Sequence, residues 1–204
     1  MNILALDSSF GGLSLALRAG GKTHARSVAE AKASDKLLPL LQELLTEANI
    51  KATGINQVVA TIGPGSFTGI RLGLAVAEGL KLANPKLTII GVPTFSVLAA
   101  QVVKTHQPKT AFTLLLDAAG GQVYRQDFAA TGKPLADAVC EPLATLKKLQ
   151  PFIATQTGLL PPFATHASFT LLDADVLLAA ATDTANHVPA TPVYLKELGY
   201  RRAG

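Results

Sequence analysis

Two acidic turns and one glycine-rich corner hold the residue types from which this chain of 204 residues could build chemistry. Asp7-Ser8-Ser9 closes a short apolar run and sets a carboxylate and two hydroxyls at a hairpin tip. Such a tip suits a magnesium-bound phosphate, as a vestigial phosphate loop. It equally suits an Asx-type turn in which Asp7 and Ser9 satisfy the local backbone. The run Gly63-Pro64-Gly65-Ser66-Phe67-Thr68-Gly69-Ile70-Arg71-Leu72-Gly73 feeds backbone N–H groups into a helix start, where an anion could bind. It is also what a tight strand-to-helix corner requires, with Ser66 or Thr68 as the cap and glycines for the backbone angles. No phosphate-binding lysine or acidic metal ligand adjoins this run, which favours the corner.

Other chemistries fail on spacing. Gly21-Lys22-Thr23 ends like a phosphate-binding P-loop, but Ala16 stands where the earlier glycine is needed and no helix follows. Gly63, Gly65 and Gly69 are spaced one residue too long for the dinucleotide fingerprint. The residue two before Ser66 is Pro64, so there is no Gly-x-Ser-x-Gly elbow. No His-x-x-x-His pair occurs among His24, His106, His166 and His187, and none of them is obviously paired with the single cysteine, Cys140. Neither a metal set nor a base-activated nucleophile emerges, so no catalytic residue is assigned.

Nearly half of the residues are hydrophobic, enough to build a core in one domain or two small ones. The net charge of +4 is spread thinly from Arg18 and Arg26 to Lys196, Arg201 and Arg202, without the basic stripe that tracks a phosphate backbone. RNA binding by this chain alone is therefore disfavoured. One cysteine fits a reducing compartment, no basic segment precedes Ile3-Leu4-Ala5-Leu6, and no apolar run is long enough for a membrane span, so a cytoplasmic protein is expected.

The elements that must position these turns follow from periodicity. Asn2 to Leu6, the alternating Leu13 to Arg18, and Lys22 to Ala29, joined at Gly11-Gly12 and Gly20-Gly21, predict three antiparallel strands. Ser34 is the expected N-cap of a helix over Asp35 to Ala48, with Pro39 in about its first turn. Gln57 to Ile62 and Leu87 to Val92 read as strands, and about Thr68 to Ala83 and Pro93 to Lys104 as helices. Thr105 to Thr110 reads as a linker. Ala111 to Leu116, Asp117, Gly120-Gly121 and Gln122 to Phe128 then repeat the opening pattern, which predicts an internal duplication, and Asp173 to Asn186 is a late helix. The fold class expected is α/β: two actin-like (ASKHA, Hsp70-type ATPase) subdomains with mixed sheets and flanking helices, over residues 1–104 and a smaller 105–204.

The run Gly63 to Gly73 resembles the signature of the TsaB (YeaZ) family, and its neighbours agree in order. Leu37-Leu38-Pro39 looks like the family's first helix, Asp117-Ala118 with Val123-Tyr124 like its second hairpin, and Pro192-Val193-Tyr194-Leu195 like its tail. The resemblance covers about nine-tenths of the chain. It implies a non-catalytic subunit that works with a TsaD-like catalytic paralogue and a TsaE-like ATPase. Together these place threonylcarbamoyl on the adenosine beside the anticodon in tRNAs reading codons that begin with A. On that reading tRNA is met through the complex. Two positions depart from the family pattern: Ala33 stands where a histidine is common, and Ala119 where an arginine is common.

The alternative is an independent ATPase, kinase or metallopeptidase of the same fold. Asp7 and Asp117 could supply carboxylates to a kinase, so weak nucleotide binding at Asp7, Ser8, Ser9, Gly63, Gly65 and Ser66 stays open. The helix from Thr68 is apolar all round, as if covered on every side. Gly69, Gly73 and Ala77 form a smooth strip on it, and Leu37, Leu38, Leu41, Leu44 and Leu45 a stripe on the preceding helix. The partner interface is therefore expected at Leu37, Leu41, Leu44, Gly69, Ile70, Gly73, Leu74 and Ala77, used for a homodimer or for the paralogue. The competing reading seats this strip on the chain's own first helix or sheet.

Overall fold

Four apolar residues in succession make β1 (Ile3–Asp7) a strand covered on both faces, and all five of its positions are buried. The computed structural model describes residues 1–29, 32–147, 149–159, 166–184 and 187–196. β2 (Gly12–Ala19) pairs antiparallel with β1, Leu4 opposite Leu17 and Asp7 opposite Ser14. β3 (Lys22–Ala29) pairs antiparallel with β2. β4 (Gln57–Thr61) lies parallel to β1, and β5 (Thr88–Val92) parallel to β4. The sheet order is thus β3-β2-β1-β4-β5.

The second sheet repeats it. β6 (Phe112–Asp117) pairs antiparallel with β7 (Gln122–Phe128), and β8 (Val139–Pro142) follows antiparallel at the edge. β9 (Phe152–Gln156) runs parallel to β6 and β10 (Ala167–Phe169) parallel to β9, giving β8-β7-β6-β9-β10. Each strand occupies the place of the one five before it. This is the duplication that the echo of acidic turns predicts, and the fold is the expected pair of mixed five-stranded sheets with flanking helices.

Helices fill the faces. α1 (Ala33–Glu47) and α2 (Phe67–Ala83) cover the outer face of the first sheet, where Leu4, Leu6, Leu15 and Leu17 meet Leu37, Leu44, Ile70 and Leu74. α3 (Thr94–His106) and α4 (Ala174–Ala180) share one core with the inner faces of both sheets, from Ile3 and Val59 through Phe95, Leu98 and Leu177 to Phe112 and Leu114. Asp173 caps α4 through the amides of Asp175 and Val176, and Lys104 on α3 pairs with it at 3.2 Å. The outer face of the second sheet has no such pair of helices among the described residues. Leu115, Val123 and Ile153 are covered there by Leu143, Leu146, Leu149 and Leu159.

Several local expectations are corrected. α1 begins at Ala33 with Lys32 as an extended N-cap that makes no side-chain bond, while the Ser34 hydroxyl donates to Asp35. Pro39 is therefore the seventh helical residue, and the tertiary burial of the leucines around it outweighs the lost backbone bond. α3 runs two residues into the expected linker. The late helix ends at Ala180, where Thr182 turns its hydroxyl back to the Ala179 carbonyl; the expected end at Asn186 lies outside the described residues, as do Arg201 and Arg202. The division at residues 104 and 105 separates the two sheets, but α4 returns to pack on β1 and β2, and Val188 bridges to Gly91 on β5.

Candidate functional site

The first acidic turn is built inward. Asp7 is fully buried, and its Oδ1 accepts from the Ser9 amide at 3.0 Å, the Ser9 hydroxyl at 2.6 Å and the Thr61 hydroxyl. Thr94, at the start of α3, joins through Ser9 at 3.1 Å. These four residues tie the ends of β1 and β4 to the first turn of α3. Burial pushes the Asp7 carboxyl above the usual carboxylate range, against the pull of its hydrogen bonds from Ser9 and Thr61. Among the described residues its second oxygen has no hydrogen-bond partner. The magnesium-bound phosphate that the fold family implies does not fit here. The carboxyl does not open to the cleft, its hydroxyl neighbours are committed to it, and no group of three metal-ligating side chains exists among the described residues. Asp7 is turned away from the cleft and forms the Asx-type turn with the Ser9 amide, the second of the two readings its sequence allowed.

Ser8 and the corner explain one another. The Ser8 hydroxyl donates to the Gly69 carbonyl at 2.7 Å, and the Ser66 amide donates to the Ser9 carbonyl at 2.7 Å. Ser66 caps α2 by accepting from the Gly69 amide at 3.1 Å. A Cβ on Gly65 would stand 2.4 Å from the Ser9 carbonyl oxygen, and one on Gly69 only 1.7 Å from that of Ser8. Gly63, with a φ of +107°, leaves room for the Val193 carbonyl. These glycines allow the hairpin tip, the α2 start and the tail to touch.

A cleft of about 350 Å³ lies between the two halves. Ser9, Gly65 and Ser66 line it from the first half, Asp117, Ala119, Tyr124 and Gln156 from the second. Of the six residues given to a phosphate site, these three reach the cleft, while Ser8 lines a hollow on the other side of the tip and Asp7 and Gly63 lie behind. The tail closes one wall with Val193, Tyr194 and Lys196. Lys196 Nζ donates to the carbonyls of Ala118 at 2.8 Å and Ala119 at 2.9 Å. The sequence had marked Lys196 only as one of several scattered charges.

The eight residues expected at a partner interface are all buried against the chain's own core, and of them Leu41 alone also borders the outer groove between α1 and α2. The small strip on α2 lets that helix settle on β1: a Cβ on Gly73 would meet Leu6 at 2.7 Å. The reading that seats the strip on the first sheet is the correct one for these side chains. Part of the opposite surface of the same two helices is nevertheless apolar, between flanking charged residues such as Glu43 and Glu78. Leu38 is 61% exposed and Leu82 85%, and a shallow groove is lined by Leu38, Leu41, Ala75, Val76, Gly79 and Leu80. A Cβ on Gly79 would meet nothing within 4 Å. Spacing distinguishes two lines on α2, since Ala75 and Gly79 lie four residues apart on a line that misses Gly69, Gly73 and Ala77, but it does not say which line rests on the sheet.

Known proteins match this architecture. The family model described as TsaD, tRNA N6-adenosine threonylcarbamoyltransferase, matches residues 25–189. A transferase of that name from Bartonella tribocorum is 38% identical over 81 residues, 40% of this chain and 22% of that protein. The tRNA threonylcarbamoyladenosine biosynthesis protein TsaB of Escherichia coli is 30% identical over 195 residues, 90% of this chain and 84% of that protein. The solved structure of YeaZ from Pseudomonas aeruginosa superposes with a TM-score of 0.78 at 25% identity, over 95% of this chain and 99% of that one. No described helix is long and apolar enough to cross a membrane. With its glycine corner, duplicated sheets and 30% identity over nine-tenths of its length to the Escherichia coli protein, the chain belongs to the TsaB (YeaZ) family.

Proposed function

We propose that this chain is the non-catalytic partner of a TsaD-like transferase in the synthesis of threonylcarbamoyladenosine on tRNA, docking through the exposed face of α1 and α2. The observation that carries this reading is the groove between Leu38 and Leu41 on one helix and Ala75, Val76, Gly79 and Leu80 on the other. An apolar strip left open beside a complete core of its own is a surface kept for another chain. The likeness of residues 25–189 to the TsaD model supports a paralogue with helices at the same places, which would pair as two against two. On this reading the transferase supplies the chemistry, a TsaE-like ATPase is the third component, and tRNA is met through the assembly. A second copy of this chain is the competing occupant of the groove.

Reconstitution tests the proposal. The TsaD-like and TsaE-like proteins of the same organism are combined with tRNA, ATP and the threonylcarbamoyl donor, with and without this chain. Modified tRNA should form only when the chain is present, and the chain alone should turn over neither ATP nor peptide. Modification that proceeds equally well without it would end the partner reading.

A further inference from the structure

The tail crosses the mouth of the cleft and touches both halves of the molecule. Val188 exchanges two backbone bonds with Gly91, at 2.9 and 3.0 Å, and the Val193 amide donates to the Ile62 carbonyl at 2.7 Å. The Tyr194 ring lies 4.8 Å from that of Phe67, and its hydroxyl accepts from Arg71 Nε at 3.1 Å. The Arg71 guanidinium rests 3.7 Å above the same Phe67 ring. Lys196 then reaches across to the turn between β6 and β7.

Two features show how this segment is held. None of the side chains from 187 to 196 is fully buried; Ala190 and Leu195 pack at the margins of the two cores and Tyr194 on Phe67, so the segment is held by modest apolar contact together with its polar bonds. The turn it grips is bent through three consecutive left-handed residues, including the non-glycine Ala119 with a φ of +57°. The two carbonyls that Lys196 binds belong to Ala118 and Ala119, inside that turn.

We propose that residues 187–196 form a strap that detaches as a unit, with Lys196 as its latch, and that it links the β6–β7 turn to the exposed edge of α2. Closed, it sets the width of the cleft and holds Arg71 against Phe67. Open, it removes a wall of the cleft, frees the turn and takes the Tyr194 hydroxyl and ring away from the exposed Arg71 and from Phe67. Arg71 stands four residues before Ala75 and eight before Gly79, on the line of the groove. The strap thus couples the state of the cleft to one end of that surface. The consequence for a partner rests on the docking proposal; the strap itself does not.

Amide hydrogen exchange on the isolated full-length chain tests it without any partner. In the parent protein the Val188 and Val193 amides should exchange faster than those of Leu6 and Val59 in the central strands. Lys196→Met should speed Val193 and the 118–122 turn by about tenfold, leaving Leu6 and Val59 unchanged, because a charge-assisted bond to two carbonyls is lost. Tyr194→Ala should speed Val188, Val193 and the Gly91 amide that donates to Val188, leaving Leu6 and Val59 unchanged. Strap amides as slow as those of Val59 in the parent would overturn the proposal. So would a Lys196→Met protein in which the strap loosens while the turn does not, or in which every strand speeds up together.

Discussion

The two halves share one strand order, yet they bury their sheets differently. The first half covers its outer face with helices of 15 and 17 residues, which complete the core and still leave an apolar groove facing away from it. The second half covers the equivalent face with leucines from a short 3-10 turn and loops, secured by a polar cluster. There Arg125 binds Asp127 at 2.8 Å, Glu141 at 3.2 Å and the Lys147 carbonyl at 3.2 Å. Thr113 binds both Asp127 and the Gln150 amide, so the loop is pinned to the sheet from two sides. The acidic turns diverge in the same way. Asp7 and Asp117 each end a first strand and accept an amide two residues on, but Asp7 is sealed by hydroxyls while Asp117 is exposed. The two halves share the sheet geometry, and among the described residues the surplus helical face belongs to the first half.

Substitutions can sharpen this contrast. The largest effect belongs to Gly69→Val, whose Cβ would fall on the Ser8 carbonyl. We expect a loss above about 4 kcal/mol, or no folding at all, in chemical denaturation. In the second half, burial works against the Arg125 charge, but Asp127 and Glu141 outweigh it and hold its pKa above the ordinary value. Arg125→Met leaves those carboxylates without their cation and should cost about 2 to 3 kcal/mol. A loss below about 0.5 kcal/mol would mean that the leucines alone secure the loop.

Asp7 gives a signed pH dependence. Because its folded carboxyl is held above its unfolded value, the folded chain keeps a proton that the unfolded chain has released. Stability from this group is full below the ordinary carboxylate range and falls as pH rises through the folded value, by up to about 1.4 kcal/mol per pH unit. Asp7→Asn should flatten that slope, and an unchanged slope would show that Asp7 does not titrate there. The smallest effect is opposite in sign: Gly79→Ala should stabilise by roughly 0.5 to 1 kcal/mol, since the glycine lies in an open helix position. A destabilised Gly79→Ala would show that this face is already covered.

Much of the scaffold was legible because it rests on local pattern. The alternation of β2, the turns at Gly20-Gly21 and the repeat at Asp117 named the first sheet and announced the second. β8, β9 and β10 were not read, being three to five residues long and without alternation, although the duplication itself implied strands there. The site was harder. Whether Gly73 faces a sheet or a partner depends on which side of α2 lies on β1, and a helix apolar on nearly every side does not declare it. The reach of Lys196 to Ala118 joins residues 78 positions apart, a contact fixed only by tertiary geometry.

The central claim is that the open face of α1 and α2 receives the TsaD-like protein of the same organism. Isothermal titration calorimetry of the parent chain and Gly79→Glu against that protein tests it most directly. Glutamate is a better helix former than glycine and has open space at this position, so the variant should melt at or above the parent temperature. We expect its affinity to fall by about 100-fold or more, because a charge would be buried in the apolar groove. A Gly79→Glu protein that binds with the parent affinity would contradict the account.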